Sequence, residues 1–316
     1  MRPMLFNLGI GDGLFDSLCG ALDAQAATLE IRSFPDGESY VRALDDCEGR
    51  VVTLACSLDR PNAKILPLLL AAETLRDLGA AQVGLAAPYL AYMRQDTRFK
   101  VGEGITSRYF ADLLSRHFDW LATVDPHLHR FHAMDEIYRV PARVVHAAPT
   151  LAQWIRQHVE QPVLIGPDSE SRQWVSEVAA GAGAPFLILD KQRSGDRDVR
   201  VSVPDLARHM DRVPVIIDDI VSTGRTAIAA VSHLATLGAP PPVCAFVHAV
   251  FADDAEAMLK AAGASRVVSC NTIEHPSNAM FFLMIRRPAR CALFPSSPLF
   301  RSVRGGGRGR RAQNWV

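Results

Sequence analysis

Apolar residues fall in short blocks along this chain, at 51–58, 83–90, 121–125, 144–147, 163–166, 186–189, 215–220, 243–251 and 267–270. Each block has the length of a strand and is apolar almost throughout instead of alternating. That pattern belongs to strands covered on both faces. Between many of them the apolar spacing becomes helical, over 65–78, 174–180, 227–237 and 255–262. A further helix is expected to begin after Thr106 or Ser107 as its cap and to bury Tyr109, Phe110, Leu113, Leu114 and His117 on one side. Strands alternating with helices predict an α/β chain built on parallel sheets. The length accommodates two such units, divided near Ala147-Ala148-Pro149. The halves show no convincing sequence repeat, although their architecture can repeat without one.

With 48% hydrophobic residues the chain can bury substantial cores. The six cysteines, at 19, 47, 56, 244, 270 and 291, form no C-x-x-C pair and no regular spacing. This argues for a reducing compartment and against a disulfide frame or a zinc site. No apolar run reaches membrane-spanning length. Asp12 and Asp16 interrupt the N-terminal apolar stretch, which makes it a poor signal peptide. A cytoplasmic protein is expected, with neither membrane nor nucleic acid as partner. The net charge of zero hides an asymmetry. Residues 281–316 hold eight Arg and no Lys, Asp or Glu, and removing those eight from 34 basic residues leaves 26 against 34 acidic ones. The body of the chain is therefore acidic, and any phosphate it binds needs a local basic cluster.

The densest chemical signal is Val215-Ile216-Ile217-Asp218-Asp219-Ile220-Val221-Ser222-Thr223-Gly224-Arg225-Thr226. An apolar strand ends in two carboxylates, a turn of small residues follows, and a helix begins. Amides and hydroxyls at a helix N-terminus favour an anion. The paired carboxylates can accept hydrogen bonds from the hydroxyls of a sugar. A phosphate and a diol held together describe a ribose 5-phosphate. The bland alternative is an acidic strand end with an ordinary turn. The segment resembles the phosphoribosyl-binding loop shared by phosphoribosyltransferases and ribose-phosphate pyrophosphokinases, and this loop alone does not separate the two families.

Five other segments do. Phe34-Pro35-Asp36-Gly37-Glu38 carries a turn signal between two extended stretches, 28–32 and 39–43. Locally it is a plain hairpin turn. Pro88-Tyr89-Leu90-Ala91-Tyr92-Met93-Arg94-Gln95-Asp96-Thr97-Arg98 follows a strand, and its two guanidinium groups suit a polyphosphate. Val124-Asp125-Pro126-His127-Leu128-His129-Arg130-Phe131-His132 invites a zinc reading through its three His, but no fourth ligand of matching type lies nearby. Ile165-Gly166-Pro167-Asp168-Ser169-Glu170-Ser171 follows another buried strand, and Leu189-Asp190-Lys191-Gln192-Arg193 leads into a polar stretch that reads locally as a solvated charge run.

In this order, over residues 1 to about 279, the segments together resemble the ribose-phosphate pyrophosphokinase (PRPP synthetase) family, nearer its short Ser-Thr-Gly branch. The resemblance implies two phosphoribosyltransferase-like domains, each a mainly parallel sheet flanked by helices, at 1–147 and 148–279. It also implies transfer of a diphosphoryl group from ATP to ribose 5-phosphate, Mg²⁺ as cofactor and a homo-oligomer. On the same footing Phe34, Asp36, Gly37, Glu38, Arg94, Gln95, Asp96 and Arg98 contact ATP. Asp218, Asp219, Ser222, Thr223, Gly224, Arg225 and Thr226 hold ribose 5-phosphate. His127 and Asp168 meet the metal, with Asp125 a lesser candidate, and Lys191 and Arg193 act on the transferring group. One departure stands out: many members have Gly-Gly where this chain has Glu170-Ser171, which puts the loop's approach to the phosphates in doubt. A phosphoribosyltransferase, or a non-catalytic regulatory protein derived from the family, is the alternative.

After about Ala279 the family pattern stops. Phe281-Phe282-Leu283-Met284-Ile285-Arg286-Arg287-Pro288 and the phrases after it resemble translated sequencing-adapter read-through, followed by low-complexity Gly and Arg. Residues 280–316 are expected to have no regular fold.

Overall fold

The computed structural model describes residues 1–128, 130–194 and 198–281, with side chains outside 191–201. The chain opens with β1 (Met4–Asn7), α1 (Asp12–Leu22) and β2 (Gln25–Ala27), then a hairpin of β3 (Leu29–Ser33) and β4 (Ser39–Ala43). There follow β5 (Val51–Ala55), α2 (Ile65–Asp77), β6 (Gln82–Ala87), α3 (Thr106–His117), β7 (Trp120–Val124) and β8 (Ala142–Val145). Next come α4 (Ala148–His158), β9 (Pro162–Gly166), α5 (Arg172–Ala182) and β10 (Phe186–Ile188), then a second hairpin of β11 (Asp190–Ser194) and β12 (Asp198–Ser202). The described part ends with β13 (Val213–Val221), α6 (Arg225–Thr236), β14 (Val243–Ala249), α7 (Ala255–Ala261), β15 (Arg266–Cys270) and β16 (Asn278–Met280).

Two six-stranded sheets result, ordered β2-β1-β5-β6-β7-β8 and β10-β9-β13-β14-β15-β16. Every pairing within them is parallel. The architecture repeats although the sequence does not. In each sheet the first strand pairs with the second on one side and the third on the other. In each, an antiparallel hairpin leaves the chain between the second and third strands.

The near-continuous apolar strands have the cause inferred from their composition. Val52, Leu54, Val83 and Leu85 pack with Leu68, Ala72 and Leu75 of α2 and Phe110 and Leu114 of α3. The opposite face meets Leu14 and Leu18 of α1 through Leu5 and Ala55. In the second sheet α4 and α5 cover one face and α6 and α7 the other. The central strand β14 is buried at all seven positions. Burying one Val or Phe there stabilises the fold by about 1.5–3 kcal/mol.

Two expectations about α3 need correction. Its N-cap is Ile105, with no side-chain cap bond. Thr106 is already helical and gives its hydroxyl to Gln95 Oε1 at 3.0 Å. Tyr109 is 58% exposed and Leu113 and His117 are half-buried, so the buried stripe is Ser107, Phe110, Ala111 and Leu114. The apolar spacing could not tell which edge of the stripe faces water. Strand β1 and helix α1 have no counterpart among the expected elements. Residues 282–316 lie outside the described residues, while Met280 is buried at the end of β16.

The two sheets are locked by polar contacts that span the chain. His248 of β14 is 1% exposed. Its Nε2 lies 3.1 Å from the Val124 carbonyl oxygen and 3.2 Å from that of Asp125, so the hydrogen sits on Nε2. Nδ1 is 2.9 Å from Thr272 Oγ1. Ser57 Oγ donates to the Thr272 carbonyl at 2.5 Å, and Ile273 joins the core of the first sheet. Burial holds the His248 imidazolium form down, to a pKa of about 4. The unfolded ring titrates near the ordinary 6.5. Between those values the unfolded chain binds a proton that the folded chain refuses, so stability is lost as pH falls through the window. The loss amounts to about 3 kcal/mol. Asp125 and Asp218, whose carboxyls burial pushes up, act in the opposite sense at acid pH. The contribution of His248 is therefore read as wild type minus His248→Gln in urea unfolding from pH 7 to pH 4. The difference should shrink towards pH 4, and a constant difference would contradict a neutral buried ring.

Candidate active site

The carboxyl ends of β13, β9 and β7 converge on one cleft of 570 Å³. In an open parallel sheet this is where ligands bind, beside the strand at which the order reverses. The order reverses between β9, which is followed by β10 on one side, and β13, which is followed by β14 on the other, and β13 brings Asp218 and Asp219 to the rim. Ser222, Thr223, Gly224, Arg225 and Thr226 continue the same wall. Helix α6 starts two residues earlier than its apolar spacing indicated. Gly224 is its N-cap at φ +65°, in the left-handed region that a Cβ disfavours. Gly224 turns the chain so that the first amides of α6 open towards the cleft, where the helix dipole favours an anion.

The second wall comes from β9. A Cβ on Gly166 would stand 2.5 Å from Val175 Cγ2, so glycine lets α5 pack close under the strand end. The loop that follows is tied to itself. Ser171 N–H donates to Asp168 Oδ1 at 3.1 Å, and Ser171 Oγ donates to the Asp168 carbonyl at 2.7 Å. The Glu170-Ser171 departure thus has two parts: Ser171 is buried as a brace, and Glu170 is exposed on the cleft wall.

The third wall belongs to the first sheet. Asp125 and His127 both have positive φ, +31° and +56°, in an inverse-γ-like turn closed by His127 N–H to the Asp125 carbonyl at 2.9 Å. Such residues cost about 1–3 kcal/mol each and persist only when their surroundings over-determine them. His248 does so from below, and the Asp125 carboxylate accepts the Ala147 N–H at 3.0 Å. Asp125 is thus a brace for the turn. It faces His146 Nδ1 at 3.2 Å in an adjoining hollow. His127 projects across to the other sheet, where its Nδ1 meets Asp219 Oδ2 at 2.5 Å.

Charge is unevenly spread in this cleft. Asp168, Asp218 and Asp219 crowd together. Burial, and after it the charge of neighbouring Asp219, pushes the Asp218 carboxyl well above the usual range. Among the described residues no group of three His, Cys, Asp or Glu is gathered to hold a metal. Mg²⁺ rarely needs one, since it is bound by one or two carboxylates with waters and substrate phosphates. The donor set suits that mode, with oxygen from Asp168 the harder ligand and His127 the softer. Arg94, Arg130 and Arg225 supply positive charge to the same cleft.

The expected residues are not all brought together. Arg94, Asp96, His127, Asp168, Asp218, Asp219, Ser222, Thr223, Gly224, Arg225 and Thr226 line the cleft. Gln95 accepts from Thr106, and Arg98 Nε donates to the Glu103 carbonyl at 2.9 Å. Neither lines the cleft. Phe34, Asp36, Gly37 and Glu38 form the exposed tip of the β3–β4 hairpin, outside the cleft lining. Phe34 is 40% exposed there, with the Arg32 guanidinium 4.8 Å from its ring centroid. Lys191 and Arg193 lie on β11, and their side chains are outside the described residues, as is His129. His132 is exposed. Motif reading gave no role to Arg130, Phe99 or Glu170, although all three line the cleft. For Arg130 the available signal was an Arg three residues after His127 in one strand-end segment.

These walls, a glycine-capped helix start with paired carboxylates facing a histidine and arginines from a second parallel sheet, are set on a double phosphoribosyltransferase-like fold. Residues 4–117 match the N-terminal domain of ribose phosphate pyrophosphokinase, and residues 133–280 match the phosphoribosyl transferase domain. The ribose-phosphate pyrophosphokinase of Methanothermobacter thermautotrophicus is 33% identical over 272 residues, covering 86% of this chain and 94% of that protein. That of Saccharolobus solfataricus is 32% identical over 267 residues, covering 83% and 90%. The crystal structure of phosphoribosylpyrophosphate synthetase from Mycobacterium smegmatis superimposes with a TM-score of 0.76 at 26% identity, covering 88% and 93%. The chain belongs to the ribose-phosphate pyrophosphokinase family.

Gly224 gives the first test of the cradle. Gly224→Ala should lower stability by about 1–2 kcal/mol in urea unfolding, the cost of a left-handed alanine. It should also weaken binding of ribose 5-phosphate in calorimetry. A variant equal to wild type in both would mean that the loop does not depend on this conformation.

Proposed function

We propose that the chain is a ribose-phosphate diphosphokinase, converting ATP and ribose 5-phosphate into PRPP and AMP for nucleotide synthesis. One observation carries this reading. The paired carboxylates and glycine-capped helix start of the second sheet and the arginines and histidine of the first line a single cleft, in a chain of this family. A phosphoribosyltransferase needs the cradle but not the facing arginine segment.

In the proposed reaction O1 of ribose 5-phosphate attacks the β-phosphorus of ATP. The new O1–P bond forms as the bond from the β-phosphorus to the α,β-bridging oxygen breaks. AMP leaves with that oxygen, and the O1 proton passes to solvent. No covalent enzyme intermediate is needed, so the protein supplies position and charge. Ser222, Thr223, Gly224, Arg225 and Thr226 hold the 5-phosphate. Asp218 and Asp219 accept from the ribose hydroxyls. Arg94 and Asp96, with Gln95 and Arg98 behind them, serve the ATP end. Mg²⁺, held by Asp168 and His127, would neutralise charge on the ATP phosphates. His127 is steadied for this by its contact with Asp219.

Lys191 and Arg193 sit on the β11–β12 hairpin, next to the cradle in chain order, and close over the transferring group. Phe34, Asp36, Gly37 and Glu38 stand on a projecting hairpin tip of their own chain, which suits contact with adenine in a neighbouring copy's cleft. A homo-oligomer is part of the proposal. The functional domains are taken as 1–147 and 148–279. Among the described residues no helix is long and apolar enough to cross a membrane, and the cytoplasm is the proposed location.

A coupled assay for AMP formation from ATP and ribose 5-phosphate tests the reading, and no AMP from the purified chain would contradict it. Within that assay Lys191→Ala should lower kcat about a hundredfold with a smaller change in KM, the signature of a lost transition-state donor. Near-normal kcat would remove Lys191 from its role. The double variant Asp218→Asn, Asp219→Asn should raise KM for ribose 5-phosphate more than KM for ATP. A defect selective for ATP would mean that the substrates lie the other way round.

A further inference from the structure

Arg130 joins three structural parts. Its Nη1 donates to Asp96 Oδ1 at 2.9 Å, and the Asp96 side chain is only 3% exposed. Its Nη2 lies 3.9 Å from Glu170 Oε1 on the facing wall. The guanidinium carbon is 5.6 Å from the centroid of Phe99, an aromatic ring that is 60% exposed at the cleft mouth. The two ion pairs are unequal. The contact with Asp96 is short and mostly buried on the acid side. The contact with Glu170 is long, and the carboxylate is 61% exposed, which is the kind of pair that contributes little. A guanidinium fork makes two parallel bonds to phosphate oxygens, each charge-assisted. A polyphosphate therefore offers this guanidinium stronger partners than Glu170 does.

We infer that Arg130 is a phosphate-binding arm of the nucleotide subsite, anchored by Asp96 and released from Glu170 when the polyphosphate enters. The inference rests on the reading of the cleft as an ATP and ribose 5-phosphate site. It also gives the Glu170 departure a function. The exposed carboxylate occupies the arm while no nucleotide is bound and competes with the phosphates for it. Removing the arm and removing its competitor must then have opposite effects on nucleotide affinity. A bridge that only holds the two walls together predicts no tightening from the loss of Glu170.

The test is calorimetric titration of the full chain with Mg·ATP in the absence of ribose 5-phosphate. Arg130→Gln should weaken binding about tenfold or more, the size of one lost charge-assisted contact. Glu170→Gln should tighten it several-fold. Ribose 5-phosphate affinity should change far less in both. Arg130→Gln takes away the partner of a buried carboxylate, so its folding is checked by circular dichroism. Arg130→Lys keeps a charge beside Asp96, loses the fork, and should also weaken binding. Wild-type Mg·ATP affinity in a folded Arg130 variant, or unchanged or weaker binding in Glu170→Gln, would overturn the inference. A wild-type chain that fails to bind Mg·ATP at all would overturn the functional reading beneath it.

Discussion

The buried ring of His248 sets the geometry on which the cleft depends. It is the point where β14 of the second sheet grips the end of β7 in the first, through the Val124 and Asp125 carbonyl oxygens. A neutral imidazole is needed there, because the ring is buried and faces two acceptors. The grip fixes a turn with two residues at positive φ. That turn is what carries His127 across to Asp219. If the grip loosens, the two walls of the cleft lose their registration, and a reaction that relies on positioning loses its main source of rate.

The repeated topology explains how one chain assembles such a cleft from two sheets. Each sheet has its strand reversal beside its first strand, and each sends a hairpin out between its second and third strands. The first hairpin, β3–β4, carries Phe34, Asp36, Gly37 and Glu38 at its tip. The second, β11–β12, carries Lys191 and Arg193. The proposed adenine contact and the proposed transfer contact thus occupy equivalent places in the two halves. The halves differ in what their strand ends offer. The second has a glycine-capped helix beside paired carboxylates, and the first offers arginines and a histidine. In the proposed reaction, specialisation of equivalent positions gives the cleft a sugar-phosphate end and a nucleotide end.

Much of this was legible in the sequence because it follows from local rules. Continuous apolar runs gave nine strands, each of which overlaps a strand of the structure, since strands buried on both faces have no polar alternation to blur them. The strand, turn and helix around Asp218 and Gly224 are likewise written in adjacent residues. What could not be read arises from long-range contacts. Residues 190–202 look like a solvated charge run, yet their backbone pairs Lys191 with Val201 and Arg193 with Val199 in a ladder. The pairing of His248 with Val124 and Asp125 joins positions more than 120 residues apart. The role of Arg130 appears only when Asp96 and Glu170 are brought to either side of it. Tyr109 shows the limit of periodicity, which gives the face of a helix but not how far its neighbours extend over that face.

The most direct test of the account is a crystal structure of the chain with ribose 5-phosphate and a magnesium complex of α,β-methylene-ATP, which cannot be cleaved at the reacting bond. The account predicts the 5-phosphate in the cradle of residues 222–226, the ribose hydroxyls on Asp218 and Asp219, and the triphosphate running towards Arg94 along the His127 wall. A sugar phosphate bound on the Arg94 side, or a nucleotide bound outside the cleft between the two sheets, would contradict it.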